Sequence, residues 1–221
     1  MTSAPLPLLV LVPTELELAR IEDQGGLGLE GAEIEICGFG PVAAAARSAA
    51  LIERRRPAAL LLVGIAGTFD PGRWPVGTAA SFEGVAIEGI GVGEGERLLA
   101  PPALGFPQWP AREGARAIHD RLALRPAASG ARAALLLTTC AASDSPEQAA
   151  LRRRRFPEAA GEDMEGFAVA LAAELAGVPC GIVRGFSNVV GERDPARWRI
   201  PAALAAAREL ARSLLAGAPR P

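Results

Sequence analysis

The 221-residue chain contains no lysine and no tyrosine; its 23 basic side chains are all arginines, and it has one histidine. Each absence removes a chemistry. Without lysine there is no Schiff base, which excludes pyridoxal-phosphate enzymes and lysine-dependent aldolases. Without lysine there is also no Walker A phosphate loop. No tyrosine can serve as a general acid, and a Ser-His-Asp triad would have to use His119. The three cysteines (Cys37, Cys140 and Cys180) are far apart and form no C-x-x-C. With a single histidine they supply no zinc ligand set, so no metal is expected. Acid–base chemistry is left to Asp and Glu, with Arg as the fixed cation.

Half of the residues are apolar, enough for one sizeable core, so residues 1–221 are expected to form a single domain. A net charge of −2 gives no electrostatic case for nucleic acid or for an acidic membrane. An odd number of cysteines in apolar settings reads as reduced and cytoplasmic. The apolar run Leu6–Pro13 is too short to span a bilayer and has no basic residues before it.

Short apolar runs alternate with helical stretches. Strands are expected at Leu8–Val12, Glu33–Cys37, Leu60–Val63, Thr78–Phe82, Val85–Ile90, Ala133–Thr138 and Cys180–Gly185. Helices are expected from Thr14, over Ala43–Arg56 with Pro57 as the stop, and over Ala111–Leu122, Ser145–Arg155, Phe167–Ala176 and Pro201–Leu215. The last places Leu204, Ala207, Leu210, Ala211 and Leu214 on one face. Residues 94–110 are proline-rich, aperiodic and read as a loop. Continuous apolar strands alternating with helices imply an α/β fold, a mostly parallel sheet covered on both faces. In such sheets ligands bind where loops leave the carboxyl ends of strands. That selects Pro13–Glu17, Gly64–Thr68, Asp163–Phe167 and Arg184–Asp194.

Several candidates have a structural and a functional reading. Thr14-Glu-Leu-Glu17 is a capping box, a carboxylate at the mouth of the sheet, or both. Glu162 and Asp163 suit a helix N-terminus, whereas Met164-Glu165-Gly166, an acid followed by a residue without a side chain, suits ligand approach. Gly38-Phe-Gly-Pro-Val-Ala43 fits the dinucleotide fingerprint, but the next strand lacks the ribose-binding acid, which favours a tight turn. Ser187-Asn188 at a strand end is a turn or, because a carboxamide offers a donor and an acceptor in one plane, a heterocycle contact. His119 reads as a helical surface residue. The arginine runs 54–56 and 152–155 read as solvated helix ends.

Taken together, the segments resemble the purine nucleoside phosphorylase/nucleosidase family, and most closely its futalosine hydrolases. The resemblance rests on Val12-Pro-Thr-Glu-Leu-Glu17, Gly64-Ile-Ala-Gly-Thr-Phe69, Phe156-Pro-Glu-Ala159, Glu162-Asp-Met-Glu-Gly-Phe-Ala-Val-Ala170 and Arg184-Gly-Phe-Ser-Asn-Val-Val-Gly-Glu-Arg-Asp194, followed by Trp198-Arg-Ile200. It implies a three-layer αβα sandwich around a mixed, mostly parallel sheet. It also implies hydrolysis of the N-glycosidic bond of futalosine to hypoxanthine and dehypoxanthinyl futalosine, in menaquinone biosynthesis, without a cofactor. By this resemblance Glu17, with Glu15 as a competitor, would orient and deprotonate water. Glu165 would hold the ribose hydroxyls, Met164 would pack on the sugar, and Ala66 and Gly67 would line the base pocket with Ser187. Asn188 would accept from a protonated N7 and donate to O6 of a 6-oxopurine, where relatives that cleave adenine nucleosides carry Asp. Asp194 is a candidate for protonating N7, and the loop with Phe106 and Trp109 for closing over the substrate. The family's glycine loop often has Ser where this chain has Ile65, and Thr138–Ser143 is less polar than its counterpart.

The resemblance further implies a small-molecule substrate and a homo-oligomer. The alternatives are a methylthioadenosine/S-adenosylhomocysteine nucleosidase, against which Asn188 argues, and a phosphorylase, for which no Gly-Asp-Pro-x-Arg segment follows the first strand. An NAD-dependent oxidoreductase would need the missing ribose acid, and a non-catalytic binding protein of this fold is a further reading.

Overall fold

The computed structural model describes residues 8–29, 31–114, 116–124 and 131–216. Leu6 and Pro7 of the first apolar run lie outside them. Eight strands, β1 (Leu8–Val12), β2 (Ala32–Ile36), β3 (Ala59–Thr68), β4 (Ala79–Glu88), β5 (Arg121–Ala123), β6 (Arg132–Thr139), β7 (Ala159–Asp163) and β8 (Cys180–Val189), form one sheet. The order is β2-β1-β3-β7-β6-β4-β5, with β8 pairing both β3 and β4. Pairing is parallel for β1–β2, β1–β3, β3–β8, β4–β6 and β6–β7, and antiparallel for β3–β7, β4–β8 and β4–β5. The sheet is therefore mixed and mostly parallel, as expected. The pairings β3–β7–β6–β4–β8–β3 also close a ring.

Helices α1 (Glu15–Asp23), α2 (Gly40–Arg55), α3 (Pro101–Leu104), α4 (Pro146–Arg155), α5 (Gly166–Ala176) and α6 (Ile200–Ala216) surround the sheet. Two large apolar cores lie on the two faces of the sheet, and a smaller third one gathers Phe69, Leu135, Leu137, Ala149 and Phe156. Leu51 and Ile52 of α2 and Phe167, Val169 and Ala173 of α5 pack with Leu9, Leu60, Leu62 and Phe82 on one face. Ile21 of α1 and Leu204, Ala207, Ala211 and Leu214 of α6 pack with Val10, Val12, Val63 and Val183 on the other. The alternating faces of β1 explain the division: Leu9 and Leu11 enter one core, Val10 and Val12 the other.

Helix starts follow local chemistry. The Thr14 hydroxyl accepts from Glu17 N at 3.2 Å, and the Ser145 hydroxyl accepts from Gln148 N at 3.3 Å, ahead of Pro146 in the first turn of α4. α2 ends with Arg56 in the left-handed region (φ 46°), directly before Pro57.

Four expectations change. The two strands at Thr78–Phe82 and Val85–Ile90 are one strand, β4. Gly84 is not a turn: a Cβ there would stand 3.2 Å from the Leu122 carbonyl and 3.4 Å from Leu135, so its bareness admits the neighbouring strands. Ala111–Leu122 is not a helix; among its described residues Ile118 bridges Trp109 and is buried, and Arg121 begins β5. Consequently His119 is not helical. The loop at 94–110 holds the short α3. Finally, β7 escapes the apolar pattern because its sequence is Ala-Ala-Gly-Glu-Asp. It is buried throughout, and Gly161 is wedged so tightly that a Cβ would come 2.8 Å from the Phe186 ring and 2.9 Å from the Gly67 carbonyl.

β3 and β8 both run past their expected ends, carrying the 64–67 and 184–188 segments within the sheet rather than in loops. Their register slips between Ala66↔Phe186 and Gly67↔Asn188, leaving Ser187 as an extra residue. Such a bulge re-aims side chains, and here Ser187 and Asn188, although adjacent, both line the same cavity.

Gly185 lies where α6 crosses β8, and a Cβ there would collide with the Ala203 carbonyl. Overpacking of this kind costs about 1–3 kcal/mol or more. Gly185→Ala is expected to lower the thermal midpoint by at least about 3 °C; an unchanged midpoint in calorimetry contradicts this packing.

Candidate active site

A cavity of about 410 Å³ opens at the carboxyl ends of β1, β3, β7 and β8. Its lining includes Thr14 and Glu17 of the β1–α1 junction, Ile65, Ala66 and Gly67 of β3, Glu162 to Glu165 from β7 onward, and Ser187 and Asn188 of β8. All seven sequence candidates (Glu17, Ala66, Gly67, Met164, Glu165, Ser187 and Asn188) thus meet in one place. Each of the four selected segments contributes.

The centre of the polar wall is Arg184, a charged side chain with no solvent exposure in the middle of β8. Its Nε and Nη2 donate to Asp163 Oδ2 at 3.0 and 2.5 Å, and Nη2 donates to Glu165 Oε2 at 3.1 Å. Thr138 Oγ1 donates to Asp163 Oδ1 at 2.6 Å and itself accepts from Phe167 N at 2.8 Å. Asp163 Oδ2 also accepts from Gly166 N at 2.8 Å, capping α5. Gly166 serves this packing and not ligand approach: a Cβ would lie 2.8 Å from Asp163 Oδ2 and 2.9 Å from Leu136.

Glu165 receives a second hydrogen bond from Gly40 N at 3.0 Å. The Gly38–Ala43 turn therefore presents a backbone donor to a carboxylate in this wall, which accounts for its glycines. Gly38 and Gly40 both have positive φ, and a Cβ on Gly38 would stand 2.9 Å from that of Ala43. Burial pushes the Glu165 carboxyl up to about 7, opposed by Arg184 and the Gly40 amide and assisted by Asp163 and Glu17. Arg184 stays cationic, because Asp163 and Glu165 outweigh its own burial.

Glu17 is buried, whereas Glu15 is exposed. The Glu17 carboxylate accepts from the Thr14 hydroxyl at 2.7 Å and from Ile65 N at 2.9 Å. It does not close the capping box onto the Thr14 amide, and it lines the cavity. Gly64 makes room: a Cβ there would overlap Arg184 Nη1 and stand 2.7 Å from Glu17 Oε1.

Ser187 Oγ donates to Asn188 Oδ1 at 2.8 Å and lies 3.3 Å from the Ala66 carbonyl, and Asn188 Nδ2 donates to the Val189 carbonyl at 2.9 Å. Each end of the Asn188 amide keeps one valence, so the residue presents a donor and an acceptor side by side. It is the only asparagine in the chain.

The far wall is held by a feature that sequence reasoning missed. Arg152 is not a solvated helix end but is buried. It donates to Glu88 at 2.6 Å, to Glu162 at 2.8 Å, to Ser143 Oγ at 2.7 Å and to the Ala141 carbonyl at 2.8 Å. Glu162 accepts in turn from Ser143 N and Oγ, both at 2.7 Å. Ala142 and Ser143 are thereby fixed against the cavity. Glu88 within the otherwise apolar run Val85–Ile90 and Arg184 inside β8 were the available signals, since a buried charge demands a partner.

Other expectations lie elsewhere. Asp194 is exposed, accepts from Ala196 N at 3.0 Å and faces Arg197; it does not line the cavity. Neither do Phe106 and Trp109, which are exposed. Among the described residues no group of three His, Cys, Asp or Glu is placed to hold a metal ion, and no helix is long and apolar enough to cross a membrane.

Residues 32–218 match the model of the phosphorylase superfamily. Futalosine hydrolase from Thermus thermophilus is 36% identical, over 96% of this chain and 98% of that one. Futalosine hydrolase from Streptomyces coelicolor is also 36% identical, over 80% and 75%. The chain belongs to the phosphorylase superfamily, within its futalosine hydrolase family. The fold of this futalosine hydrolase family member agrees with solved structures. The futalosine hydrolase of Helicobacter pylori superposes with a TM-score of 0.75 at 13% identity, over 96% of this chain and 99% of that one. The 5′-methylthioadenosine/S-adenosylhomocysteine nucleosidase of Colwellia psychrerythraea, in complex with adenine, gives 0.75 at 22%, over 96% of each chain.

Removing Arg152 leaves the buried Glu162 without a cation and leaves Glu88 only Arg155, 3.7 Å away; breaking a buried pair in this way costs about 3–5 kcal/mol. Arg152→Met is expected to lower the thermal midpoint by about 6 °C or more, read by calorimetry. A variant as stable as the parent contradicts the network.

Proposed function

We propose that this chain hydrolyses the N-glycosidic bond of futalosine, releasing hypoxanthine and leaving dehypoxanthinyl futalosine, and that one domain performs the reaction. The observation that carries this reading is Asn188 in its hydrogen-bonded setting. Its free Nδ2 hydrogen suits O6 of hypoxanthine, and its free Oδ1 lone pair suits a protonated N7. A carboxylate here would repel O6. A polar mismatch in a buried pocket costs about 1–3 kcal/mol per unmade bond, a factor of roughly ten to a hundred between 6-oxo and 6-amino purines.

The remaining roles follow from charge. Departure of the base leaves an oxocarbenium-like sugar, and the cavity offers it carboxylates. Glu165 accepts from the ribose 2′- and 3′-hydroxyls and opposes the growing positive charge. Met164 packs beneath the sugar, and Ala66 and Gly67 admit the base to the strand backbone. Glu17, with two hydrogen bonds holding it in place, orients and deprotonates the attacking water. Hydrolysis is favoured over phosphorolysis by the same charge balance. Glu17, Glu162, Asp163 and Glu165 line the cavity; Arg184 and Arg152 are committed to Asp163, Glu165 and Glu162, and among the described residues Glu17 has no cation partner. A phosphate dianion beside the ribose would meet net negative charge.

The reading extends to a homo-oligomer, supported by the exposed apolar side chains Leu16, Phe39 and Val42 at and beside the cavity rim. It extends also to the cytoplasm, supported by three free cysteines; burial pushes the Cys37 and Cys180 thiols up to about 12.

Glu17→Ala and Asn188→Ala are each expected to slow hypoxanthine release from futalosine by at least about a hundredfold, followed by chromatography; near-normal rates in both reject the assignment. Protonating Glu165 removes an acceptor from the ribose hydroxyls, so kcat/KM is expected to fall as pH drops through about 7. A flat profile from pH 8 to pH 5.5 contradicts the role given to Glu165.

A further inference from the structure

The cavity has a depth gradient. Glu17, Glu165 and Asn188 are at most 9% exposed and form its floor. Leu16 and Phe39, at 57% and 68%, form its rim together with Arg193, Trp198 and Ile200. A nucleoside with its base at Asn188 and its ribose at Glu165 directs its 5′ substituent toward that rim.

Among the described residues Arg193 is the one cationic residue lining the cavity. Its surroundings offer it acids that are engaged elsewhere. Glu192 accepts from Arg197 at 3.0 Å and from Asp194 N at 2.9 Å. Asp194 accepts from Ala196 N and lies 3.8 Å from Arg197. Among the described residues Arg193 has no carboxylate within ion-pair distance and no hydrogen-bond acceptor. Its guanidinium stands instead over the Trp198 ring, 5.3 Å from the centroid. That ring is itself fixed, since Trp198 Nε1 donates to the Glu192 carbonyl at 3.1 Å. Ile200 and Leu16 continue the apolar surface along the rim. An uncommitted guanidinium on an anchored indole, beside aliphatic side chains, is a receptor for a flat apolar group ending in an anion.

We propose that Arg193, seated on Trp198, binds a carboxylate carried by an aromatic group on the 5′ side of the nucleoside, and so sets preference among purine nucleosides for one with an acidic 5′ extension. This rests on the hydrolase reading above and deepens it. Futalosine, an inosine extended beyond C5′ by an aryl ketone that bears a carboxylate, belongs to that chemical class. Arg193 contacts a part of the substrate that does not react, so it acts on binding.

The test compares futalosine, its analogue with the aryl carboxylate converted to a primary amide, and inosine, with the parent enzyme and with Arg193→Gln and Arg193→Lys. The expected result is a KM for futalosine raised about tenfold or more in Arg193→Gln, with kcat within about twofold, and partial recovery in Arg193→Lys, which keeps the charge without the fork. For the amide and for inosine the two forms are expected to have equal KM. Raising the salt concentration is expected to raise the parent's KM for futalosine and to leave that of Arg193→Gln unchanged. An equal KM for futalosine in parent and Arg193→Gln, or an equal loss on the amide analogue, overturns the role of Arg193 while hypoxanthine release still upholds the hydrolase. No hypoxanthine from futalosine with the parent enzyme overturns the hydrolase reading, and this inference with it.

Discussion

The structure depends on a buried guanidinium. Arg184 sits in the middle of β8 without solvent exposure, and a charge in that position is tolerated only if its surroundings are built around it. Asp163 ends β7, Glu165 begins the turn into α5, and Thr138 comes from β6; all three orient toward the arginine directly or through Asp163. Gly64 on β3 is bare so that the arginine can lie beside it. One charge thus ties the middles of β8 and β3 to the carboxyl ends of β6 and β7, beside the cavity.

This arrangement explains how a chain without lysine or tyrosine presents a polar site. Arginine supplies permanent positive charge and Arg184 and Arg152 spend it inside the wall, which leaves carboxylates and one carboxamide on the cavity floor and Arg193 at its rim. Desolvation of Glu165 follows from the same burial and raises its carboxyl toward neutrality. Backbone amides of Gly40 and Ile65 complete the orientation of Glu165 and Glu17. The glycine-bearing turn at residues 38–43, which in isolation resembles a nucleotide loop, belongs to the carboxylate machinery.

What could be read from residue order was what depends on local pattern. β1 and the first half of β3 are continuous apolar runs, α6 has a clear apolar stripe, and Ser145-Pro146 announces α4. Glu17, Glu165 and Asn188 came through coupled motifs in the expected order, and the structure gathers them in one cavity. What stayed hidden depends on distant partners. In β7, Gly161 is bare because Phe186 and Gly67 press on it, and Glu162 and Asp163 answer Arg152 and Arg184, constraints invisible in Ala159–Asp163 alone. The Ala111–Leu122 segment has helical composition, yet Ile118 pairs with Trp109 instead. Arg152 looked like one of four arginines at a helix end, and only the positions of Glu88 and Glu162 single it out. The bulge that turns both Ser187 and Asn188 to one side is a property of two strands and is written in neither.

In the proposed reading, a carboxamide at position 188 beside a Glu17 that has no cation partner among the described residues makes this fold a hydrolase of a 6-oxopurine nucleoside. The most direct measurement is a competition in phosphate-free buffer. The enzyme is given futalosine and methylthioadenosine at equal concentration, and the released bases are resolved by chromatography. Hypoxanthine is the expected product, with methylthioadenosine left intact. Adenine as the product, with futalosine untouched, would contradict it.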